Sequence, residues 1–255
     1  MELATVIGLI VGFSAIIGGQ LMEGGHIGAL LQSTAAIIVL GGTTGATLVS
    51  FPMKTVIQAV KDVAKAFFPP KNDPEQIIRD IVRYAQQARK DGLISLEKEA
   101  QAAKNPLMQK GITLVVDGTD PQTFRDMMDI ELASFEEHAK ASAEVFEAAG
   151  GFAPTIGIIG AVLGLIHVME NLSDASKLGA GIAVAFVATI YGLMTANIVC
   201  IPLSTKLKHM VKEELMCKEM IVEGIHGIQN GVSHHFIEQR LRAFLHEPKE
   251  GKKGK

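Results

Sequence analysis

Four stretches of this chain, at residues 3–22, 27–51, 152–169 and 179–203, are apolar over the length of a membrane span, and their interiors hold no Asp or Glu. A helix needs about 20 apolar residues to cross a hydrocarbon core ~30 Å thick, and each stretch is close to that length. In lipid every backbone polar group must be satisfied inside the protein, so apolar runs that do not alternate as strands cross as helices. The missing carboxylate is as informative as the spans. Ionisable groups within a bilayer are rare and functional, and an ion crossing through protein needs one as a relay. If this chain helps to move protons or sodium, a partner supplies that group.

The mean hydropathy of +0.28 averages two materials, apolar spans and a hydrophilic remainder. A net charge of −3 predicts no nucleic-acid affinity. Cys200 and Cys217 form neither a disulfide framework nor a zinc spacing and read as free thiols. His226, His234 and His235 read as surface histidines. No Walker loop, G-x-G-x-x-G, H-E-x-x-H or G-x-S-x-G occurs, so the chain is expected not to be an enzyme, with no catalytic residue, metal site or cofactor. The opening Met1-Glu2-Leu3 lacks the basic region and cleavage site of a signal peptide, so the first span is expected to remain.

Of the 24 Lys and Arg residues, only Lys177 falls in a loop opposite the large polar segment. The positive-inside rule makes the basic side cytoplasmic, which predicts cytoplasmic N- and C-termini. The outer loops, 23–26 and 171–178, are too short to hold a domain. The expected fold class is all-α: a polytopic membrane protein with four transmembrane helices and a helical cytoplasmic domain between spans two and three. Residues 1–52 hold the first two spans, 53–151 the cytoplasmic domain, 152–203 the last two spans, and 204–255 a helical tail whose final residues, 247–255, have a disordered composition.

The middle segment reads as helices. Pro52 marks the membrane exit, and Val56, Ile57, Val60, Ala64, Phe67 and Phe68 follow as an apolar stripe until Pro69-Pro70. Asp73-Pro74-Glu75 opens the next helix with an N-cap acid, an early proline and an acid facing the positive dipole end. Ile77, Ile81, Tyr84 and Ala88 share its apolar face, and Gly92 stops it. Ser95 is placed to cap a helix carrying Leu96, Glu97 and Glu99. A short apolar helix over 107–116 and a longer one over 122–149, opened by Asp120-Pro121, lead to Gly150-Gly151 and the third span. Beyond residue 203 the fourth span continues as a polar helix with Leu207, Val211, Leu215 and Ile221 on one face.

Small residues punctuate the last two spans: Gly157, Gly160 and Gly164 in the third, Gly181, Ala185, Ala188 and Gly192 in the fourth. At this spacing helix backbones approach closely, either within the subunit or against surrounding helices. Thr155 and Thr189 place hydroxyls in the same spans. Each either bonds back to its own helix or lines a polar track facing a partner's carboxylate. Pro154 and Pro202, near the cytoplasmic ends, read as a helix start or kink, or as hinges coupling membrane and cytoplasmic parts. His167 and Glu170 read as interfacial residues at the outer end of the third span.

The run Ala153-Pro154-Thr155-Ile156-Gly157-Ile158-Ile159-Gly160, with Gly164-Leu165-Ile166-His167, resembles the third span of flagellar motor stator A subunits, the MotA/PomA family. Ala188-Thr189-Ile190-Tyr191-Gly192, Ala196-Asn197 and Pro202-Leu203 with Lys206-Leu207-Lys208 resemble its fourth span and exit, and Ala88-Arg89-Lys90-Asp91-Gly92-Leu93 with Leu96-Glu97 its rotor-facing stretch. The resemblance implies an ion-conducting, torque-generating subunit of the bacterial inner membrane, in a homo-oligomeric ring, a pentamer, around a B subunit of the MotB/PomB type. That partner brings the essential aspartate, and the A cytoplasmic domain pushes the rotor protein FliG. By the same match, Arg89 and Glu97 are rotor-contact charges, with Glu131 a third by ungapped counting from Pro154. Pro154 and Pro202 are conformational prolines, and Thr155 and Thr189 lie near the partner aspartate. Sodium-driven members tend to carry Thr where this chain has Ala161, which favours protons over sodium as the transported ion. The rivals are an ExbB/TolQ-type energiser, expected to have three spans with the large segment after the first, and a non-conducting membrane scaffold.

Overall fold

The computed structural model describes residues 2–70, 73–172 and 175–245, the side chains of 175–177 excepted. In chain order its helices are α1 (Leu3–Met22), α2 (Ser33–Ala36), α3 (Gly42–Ser50), α4 (Met53–Phe67), α5 (Pro74–Asp91), α6 (Glu97–Ala102), α7 (Pro106–Val116), α8 (Pro121–Glu170), α9 (Ala175–Met194), α10 (Ile201–Gln229) and α11 (His234–Arg242). Tight 3-10 turns at Ile27–Leu30 and Leu93–Leu96 and wide π turns at Ile37–Gly41 and Thr195–Cys200 complete the order. No strand occurs among the described residues, and four helical stretches are long and apolar enough to cross a membrane. The expected all-α polytopic architecture is the one observed. The expected disordered segment 247–255 lies outside the described residues.

The chain divides into two compact units, Met1–Pro70 with Ala139–Met210 and Lys71–His138 with Val211–Lys255. The first holds the membrane helices. α1 has the bounds of the first expected span. The second span is not the single helix expected: Leu31 and Gln32 are extended, so its continuous helix begins at Ser33 and carries a π turn before α3. The third span is the outer end of α8, which passes through Gly150, Gly151 and Pro154 without a break. The fourth is α9, its π turn and the start of α10. That widened turn lies just before Pro202, which brings no N–H and crowds the carbonyl of Ile198 four residues back.

Small residues set the packing of this unit. A Cβ added at Gly157 would lie 2.9 Å from Ala188 O, at Gly164 2.8 Å from Ala185 N, and at Gly192 2.5 Å from Ala153 O. The glycine seams of spans three and four therefore close on each other, backbone to backbone, within one chain. Gly12 of the first span approaches Ile198 of the fourth, and Gly42 of the second approaches Ile156 of the third.

Most of the expected apolar stripe of α4 is exposed, with Val56 and Phe67 half-buried. Ala59, Asp62 and Ala66 are its buried side, whereas Val60 and Phe68 are each 64 % exposed. The orientation has a chemical cause. Ser142 of α8 donates to Asp62 Oδ2 (2.7 Å), and Gln58 (2.9 Å) and Lys65 (2.9 Å) bind Oδ1. Burial pushes the Asp62 carboxyl up, but hydrogen bonds from Lys65, Ser142 and Gln58 and the Lys65 charge outweigh it and hold the group below the usual carboxylate range. A satisfied carboxylate thus occupies the inner face beside two buried alanines, and its bond to Ser142 ties α4 to α8.

The second unit has one apolar core. Met220, Ile221, Val222, Ile225 and Ile228 of α10 pack with Ile78 and Ile81 of α5, Leu107, Met108 and Ile112 of α7, Phe124 and Met128 of α8, and Ile237 and Leu241 of α11. Each such side chain contributes ~1.5–3 kcal/mol on burial. Gly111 and Gly224 admit Ile225 and Ile81 where a Cβ would come within 2.7 Å and 2.6 Å of them. Asp73 accepts from Gln76 N (3.0 Å) and Asp120 from Thr123 N (3.0 Å), as their sequence positions predict, and Asn105 also caps, accepting from Leu107 N (2.9 Å). Ser95 departs from expectation. Its hydroxyl donates to Gly92 O (2.6 Å), and α6 starts at Glu97 without a side-chain cap. α11, which local periodicity does not announce, is tied down by Arg240 to Glu223 and Arg242 to Glu75 (3.4 Å).

Candidate ion path and rotor-facing surface

The interiors of the membrane spans hold no carboxylate, so their hydroxyls carry the polar chemistry. Thr155 is exposed on α8 and its Oγ1 donates to Phe152 O (2.8 Å); Thr189 is half-buried on α9 and donates to Ala185 O (3.2 Å). Both bonds run back to the residue's own helix, which leaves the oxygen lone pairs free to accept or to ligate. A Cβ on Gly157 would sit 3.5 Å from Thr189 Cα, which places Thr189 beside the helical turn that carries Thr155 and one turn from Ala161. Along the helix pair Thr189 thus lies between Thr155 and Ala161, which are themselves about 9 Å apart on α8. Thr189 shares an exposed helix face with Phe186 and Leu193, and Thr155 shares one with Ile158, Ile159 and Val162. Pro154 and Pro202 lie inside continuous helices, as the third- and fourth-span elements continue past both.

One membrane residue escaped the sequence reading as a structural group. The Tyr191 hydroxyl donates to Leu30 O (2.6 Å) and accepts from Gln32 N (3.3 Å), satisfying the two backbone groups left open where the second span is extended. The only signal was a lone phenol in a span of a chain with 2 Tyr and no Trp. Tyr191→Phe is expected to leave both groups unsatisfied at a cost of ~1–3 kcal/mol. Hydrogen exchange at the Gln32 amide should speed up, and unchanged exchange would refute the assignment.

In the second unit, α5 ends with Arg89, Lys90 and Asp91, all exposed. Gly92 (φ +82°) reverses the chain, a conformation that costs other residues strain. Gln87 Nε2 donates to Ser95 O (2.9 Å), and buried Leu96 anchors the turn, so α6 starts at Glu97 in a fixed place. Arg89 and Glu97 flank this turn, and among the described residues neither has an ion-pair partner. Glu131 is different. It sits half-buried on α8, ion-paired with Lys110 of α7, and is not a free charge.

His226 stacks on Phe124 (ring centroids 6.3 Å apart), His234 and His235 stack on each other, and no metal-ligating cluster occurs among the described residues. Cys200 and Cys217 are free and buried.

This four-span layout, with polar helices between spans two and three, is matched throughout by known proteins. The N-terminal profile of motility protein A matches residues 6–92, and that of the MotA/TolQ/ExbB proton channel family matches residues 99–220. PomA of Vibrio alginolyticus is 36 % identical over 98 % of this chain and 97 % of its own length. The chain belongs to the MotA/PomA family. YtxD of Bacillus subtilis is 36 % identical over 94 % of this chain and 89 % of its own length. The A-type chain in the solved structure of C. jejuni MotAB superposes with a TM-score of 0.92 at 29 % identity, covering 99 % of this chain and 100 % of that one. As a MotA/PomA-family member with four apolar helical stretches, the chain is a multi-pass inner-membrane protein of an ion-channel family.

Proposed function

We infer that this flagellar stator subunit couples proton flow, through a carboxylate on a B-type partner, to rotation of the rotor. The single observation that carries the reading is the full-length likeness to stator chains, whose solved relative is a MotA–MotB complex. The absence of Asp and Glu from the span interiors fits it: this chain offers hydroxyls at Thr155 and Thr189 but no carboxylate of its own. An oligomeric ring of such subunits encloses the partner helices, with the termini on the cytoplasmic side, as the lysine and arginine distribution supports.

Protonating a partner aspartate removes a charge whose burial costs several kcal/mol, and so changes which packing of A against B is best. Pro154 and Pro202 allow the helices to follow that change. Arg89 and Glu97 then engage a rotor of complementary charge. Ala161 supplies no oxygen at the level of Thr189, and a hard cation such as sodium wants several, which supports protons.

The test is motility of a strain lacking its own A and B genes, complemented with this chain and its B partner, in media with and without sodium. Swimming is expected in both. Loss of swimming on sodium removal refutes proton coupling, and absence of swimming in either medium, with both proteins inserted, refutes the stator reading.

A further inference from the structure

α4 carries three rows of side chains. Ala59, Asp62 and Ala66 form the buried row. Met53, Ile57, Val60, Ala64 and Phe68 form an exposed apolar row, and Lys54, Lys61 and Lys65 an exposed row along its edge. At 3.6 residues per turn the spacings within each row keep it on one side of the helix. Asp62 is the one acid of this helix and it points inward, so the outer surface presents positive charge alone. Among the described residues Lys54 and Lys61 have no ion-pair partner, while Lys65 reaches Asp62.

The ends of α4 place it on the membrane. Its first residue follows the second span by two residues, Phe51 and Pro52. Its last turn is bonded to the start of the first span: Glu2 N donates to Phe67 O (2.8 Å) and Thr5 Oγ1 to Ala66 O (3.4 Å). The two spans are antiparallel and joined by a short outer loop, so both ends of α4 are tied to the same membrane face. A helix held this way lies along that face. Its apolar row continues the exposed apolar surface of the spans, where Val49 is 90 % and Leu3 65 % exposed. An apolar stripe edged by lysines is the pattern of a helix seated between headgroups and acyl chains, and lysines at that depth are attracted to anionic leaflets.

We propose that α4 is an anionic-lipid binding site: its apolar row enters the cytoplasmic leaflet, and Lys54 and Lys61 take the phosphate headgroups of acidic phospholipids. Asp62, held by Ser142, keeps the helix turned so that this lysine edge faces the lipid.

The chain has no Trp, so Phe68→Trp introduces a reporter at the end of the apolar row. The complex with its B partner is reconstituted in vesicles of phosphatidylcholine with phosphatidylglycerol, one or the other brominated at equal mole fraction. The reporter signal is the difference from the same complex without the substitution. Brominated phosphatidylglycerol is expected to quench the introduced indole more strongly than brominated phosphatidylcholine. Lys54→Gln with Lys61→Gln should lower that preference by about fivefold per lysine at low salt. Equal quenching by the two lipids overturns the headgroup preference, as does a preference unchanged in the double variant. No quenching by either lipid overturns the membrane seating. None of these readouts depends on ion coupling or on rotation.

Discussion

Replacing Gly192 with alanine is expected to abolish swimming supported by this chain, while alanine at Gly18 leaves it intact. A Cβ at position 192 would sit 2.5 Å from Ala153 O and 3.2 Å from Gly157 Cα. Both obstacles are backbone, and no rotamer change removes them. The third and fourth spans would have to separate at the level of Pro154, Thr155 and Thr189, where ion flow and helix movement meet. Overpacking a tight contact costs ~1–3 kcal/mol or more, so thermal unfolding of the purified complex should also start at lower temperature. Gly18 has nothing within 4 Å of an added Cβ and serves as the control. Soft-agar spreading and a melting curve measure both effects; normal spreading by the Gly192→Ala strain would show that this seam is not required.

Arg89→Glu should stop swimming with little change in stability, membrane insertion or ion flow. Arg89 is exposed and has no ion-pair partner among the described residues, so its replacement belongs with surface changes worth within about ±0.5 kcal/mol. A like charge brought against a rotor surface costs several kcal/mol. Glu97→Lys, on the other side of the same turn, should behave alike. Glu131→Gln is the contrasting case. It breaks the Lys110 ion pair, of the kind worth ~0–1 kcal/mol at a surface, and its effect on swimming should be smaller. Spreading assays report torque, and cytoplasmic acidification with an unplugged B subunit reports ion flow. An Arg89→Glu strain that swims normally refutes the contact.

Much of this was legible in the residues. Span length, the Asp73 and Asp120 helix starts and the Gly92 stop are local features, and they appear where composition and capping chemistry place them. The small residues at Gly157, Gly164, Gly181, Ala185 and Gly192 announced a close contact. Whether it formed within the chain or with a neighbour was open, because spacing along one helix does not name the helix opposite. Thr155 and Thr189 were visible as hydroxyls with two readings open, and only the structure shows each bonded back to its own helix. Glu131 looked like Arg89 and Glu97 in sequence; its Lys110 partner comes from another helix, 21 residues away.

Sequence alone determined the helical class, the four spans, the absence of a membrane carboxylate and the charge asymmetry. These depend on the length and composition of continuous runs. Tertiary structure decided the direction of α4, the break at Leu31–Gln32 and the closing of the third span on the fourth. Each turns on a group distant in the chain: Ser142 bonds Asp62 and rolls an apolar row outward, Tyr191 satisfies two backbone groups of the second span, and Ala153 O meets Gly192. An amphipathic pattern shows that a helix has two faces. Which one is buried depends on the hydrogen bonds and shapes that its neighbours offer.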